Sequence, residues 1–329
     1  MYNFAEAGSQ YIHKINDANF DDIALQLFRY QYERNEVYRS YVDAIGTDPA
    51  YVCQLADIPF LPIAFFKTHR VVSVSGEPSL MFESSGTTGS INSRHLVFRE
   101  ELYEASLLRG FRAVYGDPSD YAILALLPSY LERKNASLVH MVRVLMRESR
   151  HSANGFYLDE WKQLSDLLYA LERDQMPTLL IGVTFALLDF AEAYPGKLEH
   201  TIVMETGGMK GRKTEWTRQQ VHDFLKQQWQ LKQVHSEYGM TELLSQAYAV
   251  SDGIFRPAAT TKVLMRELND PLDVQPYGSG CLNVIDLANV DSCAFIATED
   301  VGVVNKDGTF EVLGRMDHAA LRGCSLMSV

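Results

Sequence analysis

Tyr121-Ala-Ile-Leu-Ala-Leu-Leu127 is an unbroken apolar run held between Asp120 and Pro128. A strand with one buried face alternates apolar and polar residues, so a run without alternation reads as a strand buried on both faces, as in a parallel sheet covered by helices. The pattern repeats down the chain. Helix-like stretches at 136–148, 159–173, 184–193 and 214–229 are interleaved with strand-like stretches at 178–181, 201–205 and 231–235. Strands alternating with helices of ten or more residues predict βαβ units and an α/β fold on a large, mainly parallel sheet.

Working outward, residues 1–70 carry helical patterning, clearest at 20–41, and then the Pro-punctuated segment Ile58-Pro-Phe-Leu-Pro-Ile-Ala-Phe-Phe-Lys67. Val71-Val-Ser-Val74 and Met81-Phe-Glu83 read as strands, and 99–115 as a helix. From about Gly253 the character changes to short strands with frequent Gly, Asp and Asn, at 262–266, 280–285, 294–298, 302–304 and 310–313, with Asn305-Lys-Asp-Gly308 as a hairpin turn. The expected division is a helical lead-in (1–70), an α/β body (71–252) and a smaller β-rich C-terminal subdomain (253–329).

A chain of 329 residues has room for a sizeable core, and 47% hydrophobic with 22% charged residues excludes a largely disordered chain. A formal charge of −12 argues against a nucleic-acid partner, which needs a basic face. The N-terminus shows no basic region followed by an apolar one, so no secretory signal is read and a cytoplasmic location is expected. The most apolar window, 178–191, contains Asp189 and falls short of the roughly 20 residues needed to span a bilayer, so no membrane span is expected. Four cysteines, Cys53, Cys281, Cys293 and Cys324, show neither C-x-x-C nor zinc spacing and are expected as reduced thiols.

Chemistry concentrates at four places. Ser84-Ser-Gly-Thr-Thr-Gly-Ser90 follows a strand; Gly86 and Gly89 let backbone N–H groups approach an anion, while Ser84, Ser85, Thr87 and Thr88 add hydroxyl donors. An ordinary exposed turn has the same composition. The loop matches neither the P-loop nor the G-x-G-x-x-G pattern. Ser236-Glu-Tyr-Gly-Met-Thr-Glu242 puts an aromatic for stacking, a hydroxyl and a carboxylate able to hold Mg²⁺ within a few positions; the competing reading is a strand-to-helix turn with Thr241 as N-cap. Thr298-Glu-Asp-Val-Gly302 offers Asp300 to a ribose, or is a solvated turn. In Gly314-Arg-Met-Asp317, Arg315 can fork onto ribose or phosphate oxygens, or pair with a surface carboxylate.

In their order and spacing these four resemble the signatures of the adenylate-forming superfamily: the S/T-S-G-T-T-G loop, Y-G-x-T-E, T-G-D-x-G and G-R-x-D. Within it the chain is most similar to the acyl-protein synthetases of bacterial bioluminescence, on Pro128-Ser-Tyr-Leu-Glu-Arg133, Gly207-Gly-Met-Lys-Gly-Arg212 and Arg322-Gly-Cys324 as well. The resemblance implies that Ser84, Ser85, Gly86, Thr87, Thr88 and Gly89 wrap the phosphates of ATP, that Tyr238 and Gly239 meet adenine, that Thr241 and Glu242 contact the α-phosphate and Mg²⁺, and that Asp300 and Arg315 hold the ribose. It also implies activation of a carboxylic acid, long-chain in this family, followed by transfer to a cysteine as a thioester and delivery to a partner such as an acyl reductase. Three departures stand out. Ser90-Ile-Asn-Ser-Arg94 replaces the usual Pro-Lys-Gly, Glu299 replaces a Gly, and the chain stops at Val329, before the C-terminal lid domain of larger relatives. Lys210 or Lys213 is then left for the role of the lid's lysine. Cys324 reads either as an inert buried residue or as the nucleophile beside Arg322. Two other functions fit the same residues: an adenylate-forming ligase acylating coenzyme A or a carrier protein, and a nucleotide-binding interaction subunit without catalysis.

Overall fold

In the computed structural model, residues 2–84, 91–128, 135–207 and 216–316 are described. The run at 121–127 forms the strand Ala122–Leu126, every residue of which is buried. It pairs in parallel with Gly155–Tyr157 and Thr178–Val183; Thr201–Thr206 and His235–Tyr238 follow on the far side of the latter, also in parallel. Helices Ser137–Ser149, Trp161–Arg173, Thr184–Ala193 and Arg218–Trp229 alternate with these strands, as expected for an α/β body. Leu179, Ile181 and Met204 are core residues of this sheet.

After Tyr238 the strand direction changes. Ala247–Ala249 runs antiparallel to His235–Tyr238, Ile254–Pro257 antiparallel to Ala247–Ala249, and Phe310–Arg315 pairs with Ile254–Pro257. Phe295–Val304, Gly278–Asp286, Thr261–Arg266 and Val274–Gln275 complete the path, and Leu61–Pro62 joins Phe295–Val304 in parallel beyond the end of Phe310–Arg315. Among the described residues this makes one sheet of thirteen strands. It is parallel through the body and antiparallel afterwards, apart from the short parallel pair of Leu61–Pro62 with Phe295–Val304. The hairpin at 305–308 forms as expected, with Gly308 at φ 82° and donating to the Asn305 carbonyl.

Four local expectations change. Val71–Val74 is not a strand: the Ser73 amide donates to the Asp291 carbonyl, the Ser73 hydroxyl to that of Ser292, and the Ser292 hydroxyl to that of Val71, so its backbone is satisfied by an irregular segment and not by a ladder. The helical pattern at 20–41 divides into Phe20–Arg34 and Glu36–Ala44 because the Asn35 side chain caps the second helix, accepting from the Tyr38 amide. The strand expected at 231–235 starts at His235, since Gln230 at φ 52° ends the preceding helix and the Leu231 amide still donates to the Lys226 carbonyl. The short strands at 294–298 and 302–304 are one strand, Phe295–Val304, with a register shift between Val301 and Gly302. A Cβ on Gly302 would stand 2.0 Å from the Glu311 carbonyl oxygen, so the irregularity requires glycine.

The N-terminal helices cover the segment 286–294, which makes few ladder contacts of its own. Gln31 Nε2 donates to the carbonyls of Asn289 and Val290 at 2.8 and 3.0 Å, and its Oε1 accepts from the Ala294 amide at 2.9 Å. Asn35 donates to the Ser292 carbonyl and Tyr11 to that of Leu287. Arg99 Nε donates to Asp291 at 2.8 Å. Gln31→Leu keeps the volume but leaves three buried backbone groups unsatisfied, which costs about 3 kcal/mol. Urea unfolding should show this as a lower midpoint with an unchanged slope; an unchanged midpoint would mean the segment holds itself.

Candidate active site

The hairpin Leu80–Glu83 with Arg94–Val97 stands apart from the main sheet. It is anchored by Phe82, whose ring packs on Tyr103 and His140. Its mouth is closed by the Ser84 amide donating to the Ser93 carbonyl (3.0 Å) and the Ser93 amide donating to Ser84 Oγ (2.8 Å). Ser84 therefore spends one lone pair on the neck of the loop. Ser85, Gly86, Thr87, Thr88 and Gly89 lie outside the described residues.

Tyr238 is the last residue of its strand, and Gly239 to Glu242 form a turn with no helix behind it. The N-cap reading of Thr241 is thereby replaced. A Cβ on Gly239 would meet Glu237 Oε1 at 2.5 Å, so a larger residue there would have to displace the Glu237 carboxyl. Buried Asp286 accepts from the amides of Leu244 (2.7 Å), Ser245 (3.0 Å) and Ala288 (3.1 Å) and from the Ser245 hydroxyl. Asn289 Nδ2 donates to the Glu242 carbonyl at 2.9 Å. The Glu242 carboxyl is itself buried. Burial raises its pKa, against the Ser93 hydroxyl that donates to it and the charges of Arg315 and Lys67.

Tyr238, Asp300 and Arg315 meet. The Tyr238 hydroxyl donates to Asp300 Oδ2 at 2.8 Å, and Arg315 Nε to Oδ1 at 3.1 Å. Asp300 lies within a strand and not in a solvated turn, directly opposite Arg315. It is 8% exposed and Arg315 62%, so the carboxylate is set in the wall and the guanidinium projects outward. The Tyr238 ring rests on Phe255 and Phe310. Burial and the Asp300 charge push its phenol well above the ordinary value, keeping it a hydrogen-bond donor. Ser84, Thr241, Glu242, Tyr238, Asp300 and Arg315 thus share one neighbourhood at the end of the parallel strands, where α/β sheets bind ligands. Lys210 and Cys324 lie outside the described residues.

Residues 10–328 match the family described as "Acyl-protein synthetase, LuxE". The chain belongs to that family. Two similar proteins are long-chain-fatty-acid–luciferin-component ligases, from Vibrio harveyi (24% identical, over 91% of this chain and 84% of that protein) and from Aliivibrio fischeri (24%, 93% and 86%). A solved 2-hydroxyisobutyryl-CoA ligase in complex with 2-HIB-AMP superimposes with a TM-score of 0.68 at 15% identity, over 92% of this chain and 69% of that one. An ATP-bound RpMatB-BxBclM chimera does so at 0.57 and 17%, over 73% of this chain and 49% of that one, so the chain spans about half of its length. These likenesses establish the fold of adenylate-forming ligases. As a member of its family the chain is a ligase that activates an acyl group with ATP and transfers it. Among the described residues no helix is long and apolar enough to cross a membrane.

Five residues that bear on this group in the acyl-protein synthetase escaped the motif reading: Lys67, Ser93, His95, Asp286 and Asn289. A sixth, Glu237, lies inside the quoted cluster without having been singled out. Thr206, Glu237 and Tyr248 form one cross-strand row. Burial pushes the Glu237 carboxyl up to about 7, opposed by the Thr206 hydroxyl that donates to it and reinforced by Glu205. His235, on the same face, is pushed down to about 4 by burial and by His222, and contacts Tyr115 and Gln233, so it is a neutral structural residue. On the opposite face Glu205 is satisfied by Ser236, Arg218 and Thr184.

A carboxyl raised in the folded state contributes stability that is fully present below its unfolded pKa and is lost as pH rises through the folded one. For Glu237 that window runs from 4.5 to about 7. The stability of Glu237→Gln relative to wild type should therefore rise from near zero at the acid end to about 3 kcal/mol above neutrality, at about 1.4 kcal/mol per pH unit. Parallel stability–pH curves would show that Glu237 ionises freely.

Proposed function

We propose that this acyl-protein synthetase condenses a long-chain fatty acid with ATP and then carries the acyl group on Cys324. The acid's carboxylate oxygen attacks the α-phosphorus, the bond to the bridging oxygen breaks, and pyrophosphate leaves. The Cys324 thiolate then attacks the acyl carbon; the bond to the phosphate oxygen breaks, AMP departs, and the thiol proton goes to solvent. The acyl thioester is delivered to a partner such as an acyl reductase. The similarity to two long-chain-fatty-acid–luciferin-component ligases supports the long-chain acid.

The observation that carries this reading is the convergence of the loop neck at Ser84, the buried Glu242 and the Tyr238–Asp300–Arg315 group in one place. In this assignment Ser84 to Gly89 surround the phosphates, and Thr241 donates to the α-phosphate. Tyr238 and Gly239 border adenine, and Asp300 with Arg315 holds the ribose hydroxyls. Glu242 fits a Mg²⁺ ligand, because a buried carboxylate whose hydrogen-bond donors are neutral, the Ser93 hydroxyl and its own backbone amide, is completed by a cation. Bound Mg²⁺ would neutralise charge on the phosphate oxygens. Lys67 and Arg315 are the described cations whose charge reaches Glu242, and Lys210 is assigned a supporting role. We place the reaction in the cytoplasm, where thiols stay reduced; Cys53, Cys281 and Cys293 are all free.

With labelled fatty acid, ATP and Mg²⁺, wild type should acquire ATP-dependent label that hydroxylamine removes, whereas Cys324→Ala should still form the hydroxamate but stay unlabelled. Equal labelling of both would eliminate the cysteine step. Full turnover by Cys324→Ala with coenzyme A would favour a soluble acceptor. No hydroxamate with acids of any length would point to a binding subunit.

A further inference from the structure

The Gly239–Glu242 turn is held from outside, and two of the residues that hold it come from one short stretch. The twofold repeat of extended chain puts Ser93 and His95 on the same side, and they are 2% and 1% exposed. Ser93 joins the neck of the loop, through Ser84, to the Glu242 carboxylate. His95 Nδ1 is 2.9 Å from the Thr241 carbonyl oxygen, which can only accept. Its Nε2 is 3.0 Å from Asn289 Oδ1, and Asn289 Nδ2 donates to the Glu242 carbonyl. His95 therefore holds the Thr241 carbonyl through its Nδ1–H and Asn289 holds the Glu242 carbonyl; with that proton on Nδ1, the neutral ring that burial favours has none on Nε2 to give to Asn289 Oδ1. The ring stands edge-on to buried Phe66, 5.8 Å between centroids, which confines it.

We propose that His95 is a positioning residue: through its Nδ1–H on the Thr241 carbonyl it holds the Thr241–Glu242 turn in register with the hairpin that carries the Ser84–Gly89 loop. This rests on the active-site assignment of Thr241 and Glu242 made above. His95 touches main chain and not substrate. Its contribution is to keep the carboxylate of Glu242 and the hydroxyl of Thr241 in the same frame as the loop, where a misplacement of about 1 Å is enough to cost about a hundredfold in rate.

An Asn side chain presents its amide nitrogen where His carries Nδ1, so His95→Asn can keep the contact to Thr241, whereas His95→Phe fills the space and keeps neither contact. Pyrophosphate exchange and amide hydrogen exchange over 240–246 are measured on the full chain. His95→Phe should lose about thirtyfold in kcat with KM for the acid nearly unchanged, and its 240–246 amides should exchange about tenfold faster, while His95→Asn stays within about threefold of wild type in both. Equal losses in the two variants, unchanged exchange at 240–246 in His95→Phe, or a uniform rise in exchange along the chain would each overturn the proposal. If wild type gives no pyrophosphate exchange with any acid, the enzymatic reading fails, and the amide-exchange comparison alone still decides the role of His95.

Discussion

The site depends on a segment that cannot satisfy itself. Residues 286–294 pass between two strands of the sheet, and buried backbone groups there need partners. The N-terminal helices supply them through Gln31, Asn35 and Tyr11, and Arg99 holds the side chain of Asp291. Held in this way, the segment turns its own polar side chains in the other direction, with Asp286 on the amides at 244–245 and Asn289 on the Glu242 carbonyl. The order of dependence runs from helical layer to segment to turn to carboxylate. A helix more than 200 residues away in sequence is in this sense part of the support of Glu242.

The second organising fact is the reversal of strand direction after Tyr238. Parallel strands deliver their C-terminal ends to one edge, and Tyr238 is the last such end in the chain. The antiparallel strands then return the sheet so that Asp300 and Arg315, opposite each other across Phe295–Val304 and Phe310–Arg315, come beside it. One carboxylate, with an oxygen for each partner, ties the parallel half of the sheet to the antiparallel half.

Much of this was legible in the residues. Ala122–Leu126 and Thr178–Val183 announce themselves because burial on both faces removes nearly every polar position, and Tyr238, Glu242, Asp300 and Arg315 were singled out because the order and spacing of their motifs are distinctive. Val71–Val74 misled because β-branched residues score as strand wherever they are buried, whereas their hydrogen bonds went to 291–292. His95, Asp286 and Asn289 were silent because each acts on a partner remote in sequence, and a lone His, Asp or Asn carries no local pattern. Glu237 was visible as a letter, but its raised proton affinity comes from burial within the sheet and from the charge of Glu205, which only strand pairing brings to it.

The grips of Gln31 and Asn35 on 286–294 fall on main-chain atoms. A side chain that holds a backbone makes no demand on the identity of the residue it holds. Substitutions can therefore accumulate at a position such as Val290 whenever the new side chain fits, while the amides of Gln31 and Asn35 have no freedom to drift. Constraint in this family would then sit in a helix remote from the chemistry, and variability directly beneath the proposed nucleotide site, the reverse of what proximity alone suggests.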